Sequence, residues 1–476
     1  MPLQWVYAYT CAIKKQSRGE QIMAPHRNLT RDMTYGRPLP LILGFALPLI
    51  FGNLFQQMYS MVDTIIVGRY LGVDALAAVG VSNPITQLFV GLGSGLGMGC
   101  GVVIAQLFGG KKMSQVKTAI FTALIAIISM SLVLMLAGGL LAPQISSWLN
   151  TPEDIFRDAT SYLRIYMWGL PFLFIYNICN AIFNALGESK KPLYFLIFST
   201  VLNIFLDLLF VAKFQWGVAG VAWATFIAQG LASLLAITVL LHRVKSIKEK
   251  YTYFDTTLMG GMARQGIPTM FMMSVVSIGS LFVQALVNSN GSDFIAGYSA
   301  ALKINGFFNV VIGTLGNAVS TFAGQNIGAG NYERPVQGLR TGLTINFGYV
   351  CFGILIMYLF GEQLISIFVD ADASAAVYET GVGYLRVVSV GSLFFVILNN
   401  TCALCRGAGY VIASSVVTFV DLVFRVATAY LLYDVIGSSS VYWSISIGWF
   451  IGAGIALYYF FSGKWRNVKL LKEKKK

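Results

Sequence analysis

Twelve long apolar stretches fill most of positions 38 to 463, and that pattern restricts the chain to a polytopic membrane protein. Crossing about 30 Å of hydrocarbon takes roughly 20 apolar residues as a helix. The sequence predicts spans at 39–69, 76–108, 118–142, 161–186, 192–212, 217–241, 266–289, 294–326, 341–361, 380–405, 412–433 and 440–462. The composition agrees: 56% hydrophobic, 11% charged and a mean hydropathy of +0.70 lie far from a soluble domain.

The few charges are placed with a bias. Cytoplasmic loops retain Lys and Arg. With the N-terminus inside, segments 1–38, 109–117, 187–191, 242–265, 327–340, 406–411 and 463–476 hold 26 of the 33 basic residues. Lys303 and Arg425 lie deep in spans, which leaves Arg69, Arg157, Arg164, Lys213 and Arg386 at or near the other side. Loops on that side are acidic, with Glu153, Asp154 and Asp158 in one and Glu362, Asp370, Asp372 and Glu379 in another. The net charge of +13 is therefore an orientation signal that requires no nucleic acid. Both termini are expected in the cytoplasm, and the basic tail 463–476 is expected against anionic lipid. The first residues lack the basic start, apolar core and cleavage site of a signal peptide. Segment 1–38 reads as a disordered cytoplasmic leader, with Met23 and Met33 as alternative start sites. Cys402 and Cys405 form a C-x-x-C inside a span with no second Cys or His pair nearby, which points to packing rather than zinc or redox chemistry.

The chain repeats itself. Tyr162-Leu163-Arg164 recurs 222 residues later as Tyr384-Leu385-Arg386, and at that shift Gly169, Phe172, Asn177, Ala181 and Gly187 meet Gly391, Phe394, Asn399, Ala403 and Gly409. Earlier in each half the shift is 219, pairing Asp74, Gln106 and Gly109 with Asp293, Gln325 and Gly328, among others. Pro48 and Pro268 hold matching places. Each unit has an even number of spans, so both copies enter the membrane in the same direction. They are expected to be related by a pseudo-twofold along the membrane normal, as in transporters with parallel repeats. The organisation predicted is an N-lobe at 39–241, an inter-lobe loop at 242–265, a C-lobe at 266–462 and the basic tail. In the second span Gly91, Gly95 and Gly99 share one face and Gly93, Gly97 and Gly101 the next, a spacing that lets neighbouring backbones approach. A phosphate-cradling loop is excluded, because no strand precedes the run and its flanks are apolar.

Ionisable groups at the bilayer centre cost about 2.5–3.5 kcal/mol each on insertion scales, and five stand away from the span ends: Asp63, Asp207, Lys303, Asp421 and Arg425. Asp421 and Arg425 are spaced i, i+4, which predicts a structural ion pair. Lys303 is expected to neutralise a carboxylate across helices, with a place in the transport path left open. Asp63 and Asp207 have no basic residue within reach on their own spans. Gln56 and Tyr59 precede Asp63, Asn203 sits one turn before Asp207, Asn177, Asn180 and Asn184 form a stripe in the fourth span, and Thr225 adds a hydroxyl in the sixth. Low dielectric penalises the charged form of such a carboxyl, which suits it to take up a proton. The same oxygens also suit a sodium ion. Pro48, about four turns before Asp63, removes a backbone hydrogen bond and permits a bend.

At these residues the chain resembles the MATE family of multidrug and toxic-compound extrusion transporters. PLIFGNLFQQMYSMVDTIIVGRYLG is similar to the family's first span, FNALGESKKPLYFLIFSTVLNIFLDLLFV to its fourth-to-fifth-span signature and RGAGYVIASSV to the counterpart in the second half. The resemblance runs from Pro38 to Lys464. It implies an all-α protein of two six-helix lobes exporting organic cations by alternating access in exchange for H⁺ or Na⁺. Position by position, it makes Asp63 the coupling carboxylate and places Asn180, Asn203, Asp207 and Thr225 in the network around the ion, with Asp63, Asp207 and Asn180 as ligands if the ion is Na⁺. It makes Gln56, Tyr59, Asn177 and Asn180 pocket-lining residues and Pro48 the bending proline. The glutamate that some branches carry in the seventh span is absent from 266–289, which implies coupling through the N-lobe. No cofactor is expected, and the chain is expected to act as a monomer in a bacterial cytoplasmic membrane. The alternative is a flippase for lipid-linked precursors, which would line its cavity with arginines. An intramembrane enzyme is disfavoured: both histidines, His26 and His242, lie outside the spans, and no catalytic motif appears.

Overall fold

The computed structural model describes residues 32–149, 151–369, 373–468 and 470. Its regular elements are helices, as a chain must be where no water is present to satisfy backbone groups. The N-terminal half holds α1 (Pro38–Leu71), α2 (Val73–Gly109), α3 (Met113–Trp148), α4 (Glu153–Trp168), α5 (Leu170–Ala185), α6 (Lys190–Asp207) and α7 (Gly217–Lys245). The C-terminal half holds α8 (Thr256–Asn288), α9 (Ser292–Gly328), α10 (Arg334–Leu359), α11 (Gly361–Ser366), α12 (Ala375–Gly407), α13 (Val411–Leu431), α14 (Tyr433–Ile436) and α15 (Ser440–Phe461). Among the described residues eleven spans are single helical runs, and α4 with α5 makes a twelfth that bends by 47°. The sequence predicts one unbroken span there; the break falls at Gly169, with Pro171 in the first turn of α5.

Starts and stops follow local chemistry. Pro38 opens α1 and Pro335 opens α10, where a missing N–H costs nothing. Asp255 caps α8 by accepting from the N–H groups of Thr257 and Leu258 at 2.7 and 3.0 Å. Left-handed turns recur at the repeat shifts. Gly72 and Gly291, at φ +86° and +85°, separate the first two helices of each lobe, and Gly187 and Gly409, at +81° and +82°, follow α5 and α12. Only glycine enters that region without strain.

Each half buries its own core, around Ile120, Leu163, Phe174 and Ile182 in one and Ile312, Leu385, Val388 and Val396 in the other. The lobes meet along one glycine face of α2. Gly91, Gly95 and Gly99 lie on α8, and a Cβ on Gly95 would sit 2.8 Å from Met270 Cα. Gly93, Gly97 and Gly101 lie instead on Asn177 and Ala181 of α5. At one end the two lobes are tied reciprocally. Gln106 Nε2 donates to the Gly407 carbonyl and Gln325 Nε2 to the Ala185 carbonyl, both at 2.9 Å, and each bond is the image of the other under the repeat. Gly109 and Gly328 abut the backbones of Gln325 and Gln106 in the same reciprocal way.

Two segments differ from expectation. Asp32–Arg37, assigned with the disordered leader, is ordered: Met33 is fully buried, its N–H donates to Gln325 Oε1 at 2.9 Å, and Asn326 and Arg334 donate to its carbonyl. Apolar Met33 packs with Ile42, Phe45 and Phe322 at the joined end. Trp465, in the basic tail, is buried against the C-lobe and stacks on Phe460. The expectations for 1–31, 469 and 471–476 fall outside the described residues.

Candidate functional site

Four N-lobe helices converge on one polar cluster. α1 supplies Tyr59 and Asp63, α4 Tyr162, α6 Asn203 and Asp207, and α7 Thr225. The spacing i, i+4 puts both members of each pair on one helix face. The carboxyls of Asp63 and Asp207 lie against each other. Two bare carboxylates only accept, so a hydrogen bond between them requires that one of the two carry a proton. Asn203, its amide oriented as its neighbours require, donates to Asp207 Oδ2 at 3.0 Å and to the Tyr59 hydroxyl at 2.5 Å, and accepts from the Thr225 N–H at 3.1 Å. Tyr59 also lies beside Thr225, and Tyr162 is near enough to both acids to feel their charge. Asp207 and Asn203 are buried. Oδ1 of Asp63 and Oδ1 of Asp207 are buried without a donor. Acceptors left this way fit a proton or a small cation. Immediately after Asp207 the chain widens into a π turn, Leu208–Lys213, a feature that recurs at functional sites.

A cavity of about 600 Å³ lies between the lobes. Pro48, Gln56, Asn177, Asn180 and Thr225 line it, together with Tyr176, Asn184, Gln229 and Asn317. Asn177 is held in place, donating to the Leu173 carbonyl at 2.9 Å and accepting from Ser94 Oγ at 3.2 Å. The acids themselves are not among the lining residues; they stand behind the N-lobe wall, and Thr225 belongs to both the wall and the acid cluster. Two residues differ in place from part of their expected roles. Tyr59, expected in the pocket lining, sits with the acids. Asn180, expected both in the pocket lining and among the ion ligands, is on the cavity wall beside Tyr176, and no hydrogen bond among the described residues joins it to either acid. Tyr162 is a cluster member that the sequence reasoning did not assign, although the repeated Tyr-Leu-Arg marks its position.

The C-lobe is built differently. Arg425 donates to Asp421 Oδ2 at 2.9 Å and Oδ1 at 3.3 Å, the expected ion pair, with Gly448 leaving room for the carboxylate and Trp449 under the guanidinium. At the repeat shift Arg425 stands where Asn203 stands, and Tyr384, accepting from Asn305 Nδ2 at 3.1 Å, stands where Tyr162 stands. The C-lobe image of the acid cluster thus carries a built-in cation. Lys303, expected to neutralise a carboxylate across helices, is exposed, its ammonium lies 5.6 Å from the Phe368 ring centroid, and it makes no ion pair among the described residues, which do not include Asp370 and Asp372. Cys402 and Cys405 are buried core residues, and no cluster of metal-ligating side chains is present among the described residues.

One family model, MatE, matches twice, over residues 48–209 and again over 268–431, one copy on each lobe. The chain belongs to the MatE family. This MATE transporter is 28% identical to the probable multidrug resistance protein YpnP of Bacillus subtilis over 447 residues, 93% of this chain and 99% of the relative. It is 33% identical to the probable multidrug resistance protein YoeA of the same bacterium over 336 residues, 68% of this chain and 72% of the relative. The MATE fold matches a crystal structure of MATE in complex with MaL6 with a TM-score of 0.86 at 21% identity, covering 92% of this chain and 99% of that one.

Proposed function

We propose that this chain is a secondary-active multidrug exporter, moving amphiphilic organic cations out of the cell in exchange for protons bound at Asp63 and Asp207. The observation that carries the reading is the carboxyl pair, set side by side behind a cavity wall that Asp207 reaches through Asn203 and Thr225. Without its shared proton the pair holds two like charges in contact, and a cationic drug in the cavity offsets them. Proton uptake removes that attraction. A gradient can drive export only through such a difference in affinity between two states. Relatives named as multidrug resistance proteins support the same reading. The lining residues include one arginine and no lysine, a poor match for a polyanionic lipid pyrophosphate.

Sodium is the second reading, favoured by the two buried Oδ1 acceptors. Efflux of a fluorescent cation from proteoliposomes, with a pH gradient and a Na⁺ gradient imposed separately, decides between them. Export under neither gradient overturns the exporter. The basic-residue bias puts the end joined by Gln106 and Gln325 in the cytoplasm, so the described state closes the cavity on that side. Cysteines placed singly at Lys248 and Glu362 in a cysteine-free background are expected to react from opposite sides of intact cells; labelling of both from one side removes this orientation.

A further inference from the structure

The charge inventory of the central cavity is the reverse of what a site for simple cations requires. Among the residues lining it, the one with a formal charge is Arg406, and none is acidic. Expected in the cytoplasmic loop 406–411, Arg406 lies instead in the last turn of α12. It is half-buried, and its side chain makes no hydrogen bond, ion pair or ring contact among the described residues. Its ionisable neighbours are the thiols Cys402 and Cys405. Glu188, the acid near the matching turn of the other lobe, is already paired with Arg243 at 2.6 Å. The helix C-terminus contributes a diffuse partial charge but no fixed partner.

The position is held firmly. The Gly407 carbonyl, one residue on, accepts from Gln106 of the opposite lobe, and Gly407 is pressed against the Ser320 carbonyl of α9. Asn184, the repeat image of Arg406, lines the same cavity, as do Asn317, Ser320 and Thr321. An unpaired guanidinium on an anchored helix end, with amides and hydroxyls around a shared space, is the donor set that recognises a carboxylate.

We propose that Arg406 forms an anion subsite in the inter-lobe cavity, and that the preferred substrates are amphiphiles carrying a carboxylate as well as their cationic or aromatic part. This rests on the exporter reading above and deepens it. In that arrangement the substrate spans the cavity, its acid on Arg406 of the C-lobe and its cationic part towards Thr225 and the acid pair.

The test uses two dyes that share one xanthylium cation: rhodamine 110, the free acid, and rhodamine 123, its methyl ester. Binding to the purified full-length protein is read by fluorescence anisotropy. Arg406→Gln is expected to raise Kd for the free acid about tenfold or more, because a hydrogen bond to a charged group is lost, and to change Kd for the ester less than about twofold on the same scale. Arg406→Lys, which keeps the charge, restores part of the difference. On the wild-type protein, where folding is not in question, benzoate is expected to displace the free acid and benzamide not. Equal effects of Arg406→Gln on both dyes, or equal displacement by benzoate and benzamide, overturn the subsite. Gradient-driven transport of the same dyes in proteoliposomes is read separately. Its absence for both overturns the exporter and leaves the binding result standing, whereas export of both with equal binding overturns the subsite alone.

Discussion

Replacing Gln106 or Gln325 by leucine should unlatch the joined end of the two lobes. In the described state Gln106 gives one hydrogen bond to the Gly407 carbonyl, while buried Gln325 makes two, donating to the Ala185 carbonyl and accepting from the Met33 N–H, all at 2.9 Å. Leucine keeps the bulk and removes these bonds. With the lobes together the freed groups have no partner; with the lobes apart, water hydrates them. A buried polar group left unpaired costs about 1–3 kcal/mol. At about 1.4 kcal/mol each, the closed state loses about tenfold in population with Gln106→Leu and about a hundredfold with Gln325→Leu. The measurement is double electron–electron resonance between spin labels at exposed Lys190 and Arg340, one on each lobe. A longer-distance population should grow in both variants and more in Gln325→Leu. Distance distributions matching the wild type in both would refute the claim that these carbonyl contacts hold the lobes together. A reversed order would show that the Met33 contact contributes nothing to the latch.

Asp63→Asn and Asp207→Asn are each expected to abolish gradient-driven export with little change in abundance, and the double variant to be no worse than either alone, since the pair acts as one unit; gradient-dependent export by Asp63→Asn would place coupling elsewhere. Arg425→Ala leaves Asp421, which is 8% exposed, as an uncompensated charge and should cost about 3–5 kcal/mol, read as a lower midpoint in thermal size-exclusion, with partial recovery when the two residues are swapped. Gly99→Val forces side-chain atoms into the Gly266 backbone and should reduce the folded yield by more than the roughly 1–3 kcal/mol of ordinary overpacking, whereas Gly313→Ala, with open space at its Cβ, should be neutral or slightly stabilising by helix propensity. Equal yields for these two glycine variants would mean that α2 and α8 do not need their close approach.

The architecture was largely legible in the residues because the bilayer enforces it. A span must be apolar for about 20 residues and helical throughout, so hydropathy alone locates eleven helices and the bent pair. Duplication leaves matching residues at fixed shifts, so the pseudo-twofold could be read before any contact was known, and the Gln106 and Gln325 bonds realise it. The i, i+4 pairing of Asp421 with Arg425 is local and needed only helical geometry. Most polar site residues were recognisable for a similar reason: a carboxyl or amide in hydrocarbon stands out at any position. What no spacing along one helix reveals is which polar residues of different helices share a space. Tertiary packing put Tyr59 and Tyr162 with the acids, set Asn180 on the cavity wall, and turned Lys303 towards Phe368. It also carried Arg406 from an expected loop into the cavity wall. Those outcomes depend on how twelve helices rotate and tilt against each other, and the hydrophobic pattern leaves that choice open because a helix buried in lipid and protein is apolar on nearly every face.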